Sequence, residues 1–255
     1  PAIEPSPPVV GPNCTFFVST RKNSTYSGFC LQLTSGLTDI GFDVDGFCDK
    51  AAVELQVGVG NFPTQINILY DQSGNNFNVT ANVGIVSLTY VTNKGISVPT
   101  ILYPDGNAYL SNATPTSSLG WASNNFYCLS GVRNLNTTPR GLGIFGTVQA
   151  GGHIYVNTNG TDFSVNRNYN LPVNDYQIAL PAGATPHDGS LHTYGLQLID
   201  NGGTSTGRIM YDGKYGLTPV AGIALEASKA GIRTGSQGGA TQTLDGYMPI
   251  LIMWD

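Results

Sequence analysis

The stretch HDGSLHTYGLQL, His187 to Leu198, holds two of the three histidines in the chain beside an Asp-Gly pair. Imidazoles near a carboxylate suit proton transfer or metal ligation. They equally suit the mouth of a β-hairpin, because Asp-Gly favours a tight turn and the residues after it alternate. His192, Tyr194, Leu196 and Leu198 fall on one face, DNGGTSTG supplies a turn, and Ile209 and Tyr211 return before a second Asp-Gly at Asp212-Gly213. The hairpin accounts for all of these residues and is the preferred reading. His187, next to Pro186, reads as a loop residue.

Other catalytic sets are sparse. The chain has only three glutamates, Glu4, Glu54 and Glu226, so a hydrolase would have to draw aspartates such as Asp39, Asp43, Asp45 or Asp175 from separate loops. A lyase would need a His or Tyr base, and His153 with Tyr155 is the best local pair. Neither a G-x-S-x-G nucleophile elbow nor a Walker loop occurs. Asp43, Asp45 and Asp49 offer an oxygen cluster suited to Ca²⁺, without EF-hand spacing; an acidic turn is the commoner explanation, and no other cofactor or metal is expected.

A binding surface fits the composition better. Sugars are held in shallow sites that pair an aromatic face with amides and carboxylates, often on loops of a rigid scaffold. Three segments interleave these types: GWASNNFYC with Trp121, Asn124, Asn125 and Phe126; YPDGNAYLSN with Tyr103, Asp105, Asn107 and Tyr109; and NRNYNLPVNDY with Tyr169 and Asp175. They are the candidate ligand-binding loops.

The 187–217 hairpin resembles the one that recurs in concanavalin-A-like jelly rolls, the lectin, laminin-G and glucanase type. The resemblance covers about an eighth of the chain. It implies the fold and a structural role for His192 beside the turn. The closely spaced carboxylate set E-x-D-x-x-E of the glucanase members is absent here, so no glucanase activity is implied.

Stepping along the chain, period two dominates and no segment keeps a 3.6-residue period over ten residues. Strands are expected at 15–19, 29–33, 143–149, 153–157, 176–180, 192–199, 207–211, 220–226 and 247–254. AVELQVGV reads as a half-buried strand with a competing helical reading, and QINILYDQSGNNFNVTANV as a hairpin followed by a change of register near Gly84. The fold class expected is all-β: an antiparallel β-sandwich or jelly roll with Greek-key-type connections and little helix. Residues 1–12, with five prolines, read as an extended leader. Residues 13–255 read as one elaborated domain, with 134–143 as the place where a split into two would fall. The last strand, YMPILIMW, is apolar on both faces, which demands a central position, another layer, or a subunit contact.

Charged residues make up 11% of the chain against roughly 25% in ordinary soluble domains, and the net charge is −5. The surface is therefore hydroxyls and amides. There is no basic field for nucleic acid and no run of 18 apolar residues to insert in a membrane. Cys14, Cys30, Cys48 and Cys128 have no CxxC pair, which argues against zinc and for disulfides: one formed by Cys14 or Cys30 within the first 50 residues, and one tying Cys128 back to that region. Six N-x-[S/T] triplets, at Asn13, Asn23, Asn78, Asn112, Asn136 and Asn159, are compatible with secretion, though so Asn- and Thr-rich a chain produces several by chance. The function expected is an extracellular or surface-exposed recognition module, adhesin-like, that binds a glycan or glycoprotein receptor. The competing readings are a jelly-roll polysaccharide lyase or glycoside hydrolase, and a viral or phage fibre or coat subunit assembling through its C-terminal strand.

Overall fold

The computed structural model describes residues 13–83, 85–93, 96–104, 108–113, 118, 125–135, 142–146, 155–158, 162–166, 175–216, 218–224, 231–235 and 244–254. In chain order its strands are β1 (Cys14–Ser19), β2 (Leu31–Leu33), β3 (Asp39–Ile40), β4 (Thr64–Leu69), β5 (Val79–Val83), β6 (Ser87–Asn93), β7 (Ile96–Tyr103), β8 (Tyr109–Asn112), β9 (Phe126–Asn134) and β10 (Leu142–Gly146). They continue with β11 (Tyr155–Thr158), β12 (Asp162–Asn166), β13 (Asp175–Ala179), β14 (Leu191–Asp200), β15 (Thr204–Tyr211), β16 (Lys214–Tyr215), β17 (Val220–Ala224), β18 (Ile232–Thr234) and β19 (Gly246–Trp254). Among the described residues one α-helix, α1, spans Lys50–Val57.

All pairings are antiparallel, and two sheets result. The first runs β6, β7, β19, β9, β14, β15, with β1 sharing the β7 edge of β19 and with β16 and β17 on the outer edge of β15. The second runs β3, β2, β4, β5, β8, β18, β10, β11, β12, β13. Thr64 and Gln65 of β4 also pair with β6, which joins the sheets. Sequence neighbours are often not sheet neighbours, as in Greek-key connections: β9 lies between β14 and β19, and strands from before and after 134–143 share both sheets.

Alternation explains the layering. Along β9, Phe126, Cys128, Ser130 and Val132 turn inward while Tyr127, Leu129 and Arg133 turn out; along β14, His192, Tyr194, Leu196 and Leu198 turn inward. These meet Leu31, Leu33, Ile66, Leu110, Ile178 and Ile232 of the second sheet in one core. Each such side chain contributes about 1.5–3 kcal/mol by leaving water. Tyr103 spans the two layers, its hydroxyl 2.9 Å from Thr234 Oγ1. The fold is thus an antiparallel β-sandwich.

Two expectations are corrected. AVELQVGV is not a strand: Asp49 caps a helix by accepting the Ala52 N–H at 3.1 Å, and Gly58 ends it at φ 90°. Only Val53 of that helix is buried, and Leu55 stands in solvent, so the alternating valines do not reflect a pleated face. Second, all four cysteines are free thiols. Cys14 and Cys128 flank β19 on opposite sides, facing Trp254 and Met253, and two strand spacings of ~4.8 Å exceed the span a disulfide can bridge. The two-sided apolar β19 takes the central position that its sequence allows, with β9 paired on one edge and β7 and β1 on the other.

Candidate functional site

The outward face of the first sheet carries the candidate site. Cross-strand register aligns Cys14, Trp254, Tyr127, Gln197 and Arg208 on five adjacent strands, β1, β19, β9, β14 and β15. The next outward row runs Ile252, Leu129, Gly195, Met210 and Tyr215. Gly195 leaves the second row open in the middle; a Cβ there would lie 3.1 Å from Met210 Cε. Trp254, Tyr127, Gln197, Arg208, Met210 and Tyr215 thereby frame a hollow of about 220 Å³. That is smaller than the roughly 300–1,000 Å³ of an enclosed small-molecule pocket. Its indole and phenol rings supply a stacking surface. Gln197 Nε2 donates to Tyr127 Oη at 3.3 Å, which fixes the tilt of the amide, and Arg208 is exposed with no partner among the described residues.

Among the described residues the lining of this hollow holds no carboxylate and no imidazole, and burial pushes the Cys128 thiol up to about 12, so that thiol stays protonated at neutral pH. A second hollow of about 330 Å³ opens on the same face near the other end of β9, between Arg133, Tyr247, Leu191, Pro249 and Thr100. Arg133 lies 5.6 Å over the Tyr247 ring and donates from Nε to the Gly189 carbonyl at 2.7 Å.

The histidine pair resolves into hairpin chemistry. His192 is buried, its Nδ1 2.7 Å from Asp212 Oδ2 and its Nε2 2.9 Å from Asp188 Oδ1, while its ring stacks on Tyr211 at 4.8 Å. Asp212 and Gly213 both take positive φ, 48° and 76°, so the Asp-Gly turn has the conformation that glycine and aspartate tolerate best. Desolvation presses the His192 proton off, but hydrogen bonds and charge from Asp212 and Asp188 outweigh it and raise its pKa. Asp188 is lowered chiefly by its hydrogen bond from His192. With both nitrogens engaged, this imidazole is a clamp between two turns. His187 is half-buried against Asn134.

The residues expected to bind ligand are dispersed. Tyr103 and Phe126 are fully buried, and Tyr109 is nearly so beneath the Arg233 guanidinium, 4.3 Å over its ring. Tyr103 and Phe126 build the core because each occupies an inward position of a strand that the irregular sequence disguised, whereas Tyr109, next to the core residue Leu110, lies outside the core under Arg233. Asn125 is exposed and accepts the Asp200 N–H at 3.1 Å, two residues from Tyr127 at the edge of the hollow. Asp175 opens β13 in the second sheet. Trp121, Asn124, Asp105, Asn107, Tyr169 and His153 lie outside the described residues. Two of the three acids considered for Ca²⁺ bond backbone N–H groups: Asp43 accepts those of Asp45 and Phe47, and Asp49 caps α1. Among the described residues no three acids, histidines or cysteines converge as a metal site. Sequence reasoning missed Trp254, Tyr127, Gln197 and Arg208; their outward parity along alternating strands was the available signal.

No protein-family model matches the sequence, and no curated protein matches it. Solved structures do show similarity. Domain 4 of an extracellular GH43 arabinanase from Geobacillus stearothermophilus, in complex with arabinotriose, matches over 73% of this chain and 86% of its own, at 14% identity and a TM-score of 0.47. A botulinum neurotoxin type C structure, from work on the two ganglioside molecules its uptake depends on, matches over 73% of this chain and 44% of its own, at 11% identity and a TM-score of 0.47. A mutant Trypanosoma rangeli sialidase displaying trans-sialidase activity matches over 96% of this chain and 31% of its own, at 12% identity and a TM-score of 0.46. The chain thus spans less than half of the toxin and sialidase chains. Likeness at these TM-scores bears on neither ligand nor activity.

Proposed function

We propose that the protein is a non-catalytic glycan-binding module that holds a sugar against the outward face of its first sheet. The observation that carries this is the cross-strand row of Trp254, Tyr127, Gln197 and Arg208 around an open hollow. Aromatic rings take the C–H face of a pyranose or furanose, and the amide and guanidinium take its hydroxyls. A shallow site built on strands needs little rearrangement on binding. The wall offers no acid–base pair, which separates this reading from a lyase or hydrolase. A surface poor in charge, with no described helix long and apolar enough to cross a membrane, suits an extracellular or surface-displayed adhesin-type role with a glycan or glycoprotein as partner.

The test is a broad glycan array, followed by mass analysis of any hit after incubation with the protein. A specific hit that stays intact is expected, with Trp254→Ala losing at least tenfold in affinity. A hit that is cleaved, or one that Trp254→Ala binds equally well, overturns the reading.

A further inference from the structure

We infer that the glycan held on this face is anionic, bearing carboxylates or sulfates read by Arg208; this rests on the glycan-binding reading above. The chain as a whole is acidic, with 16 Asp and Glu against 11 Lys and Arg. The two hollows on the outward face invert that balance. Each is lined by one arginine, Arg208 or Arg133, and neither is lined by an aspartate or glutamate. Among the described residues neither guanidinium meets a carboxylate.

Their surroundings differ in a useful way. Arg133 is tied down by the Gly189 carbonyl and the Tyr247 ring, so part of its role is structural. Arg208 is exposed, ends the aromatic row, and makes no hydrogen bond or ion pair among the described residues. A guanidinium is a planar fork that matches a carboxylate or sulfate two bonds at a time, which a neutral sugar hydroxyl cannot reproduce. Arg208 is also one pair from Gln197 and two from Tyr127 in register, so a ring stacked on Tyr127 and Trp254 can direct a substituent across β14 towards that fork. Arg133 lies six steps along β9 from Tyr127, or ~20 Å at about 3.3 Å per residue, so a chain of several sugars would meet both cations.

The experiment titrates the full chain with oligogalacturonate, the same oligomer after carboxyl reduction, chondroitin sulfate and unsulfated chondroitin, each at low and high salt. Wild type, Arg208→Gln, Arg208→Lys and Trp254→Ala are compared, with circular dichroism as the check on folding. An acidic polymer should bind at least tenfold tighter than its neutral or desulfated counterpart, weaken as salt rises, and lose about tenfold with Arg208→Gln but less with Arg208→Lys. The polyuronate and sulfate arms tell the two anions apart. Equal binding of the charged and neutral polymers, or an Arg208→Gln affinity equal to wild type, overturns the anionic assignment. If Trp254→Ala still abolishes that binding, the glycan reading survives; if Trp254→Ala also binds normally, both fail.

Discussion

His192 links two turns through one buried ring, and that makes its proton a stability element. Its folded pKa lies above the ordinary value, so the stabilisation is complete below about pH 6.5 and is lost as pH rises through the folded pKa. Asp188 and Asp212 are both shifted below their ordinary value of 3.8, so their share is present above that value and is lost on acidification. The clamp is therefore strongest between about pH 4 and 6.5. Thermal unfolding should show a higher Tm at about pH 5.5 than at 8.5, and His192→Gln should lose about 1 kcal/mol at the lower pH while flattening the slope. Equal slopes for variant and wild type would remove the clamp from the account. The thiols give a second residue-scale test. Burial raises Cys14 and Cys128 to about 12 and Cys30 well above its ordinary value. A thiol reagent at about pH 8 should label the native protein very slowly and all four cysteines after denaturation. Fewer than four in the denatured chain would restore a disulfide.

At the scale of elements, β19 is the keystone, since it pairs with β9, β1 and β7 and sends Met248, Leu251 and Met253 into the core. Removing residues 247–254 should abolish cooperative unfolding altogether. A truncated chain that stays folded but loses self-association would instead bring back the subunit-contact reading. The register shift between Tyr247 and Ile250 matters for the site, because it lets Tyr247 and Trp254 both face outward although their parity differs. Strict alternation read from the sequence places them on opposite faces. The strands themselves were legible wherever apolar and polar residues alternate, as in β14 and β15. The stretch 50–57 was not, because Val53, Leu55 and Val57 satisfy a two-residue period while the Asp49 cap, two alanines and Lys50–Glu54 at 3.7 Å favour a helix. Gly195→Val, which would fill the hollow and press on Met210, should cost about 1–3 kcal/mol and block ligand binding, read by denaturant unfolding and by titration with the array hit.

Over the whole molecule, the site exists only because distant segments become neighbours. Tyr127 and Trp254 are over a hundred residues apart in sequence and directly paired in space. Loops rich in aromatics and amides attract attention in a sequence, yet Tyr103 and Phe126 went to the core and the outward row is assembled from strands. The sandwich class followed from periodicity and turn chemistry; the site depended on strand order, which periodicity does not encode. The measurement that bears most directly on the central claim uses the second of the chain's two tryptophans as reporter. In Trp121→Phe, Trp254 is the sole indole, and titrating the array hit should quench or blue-shift its emission in a saturable way, with the midpoint matching the affinity found independently. Saturable binding that leaves the Trp254 emission unchanged would place the ligand elsewhere on the molecule and contradict the account.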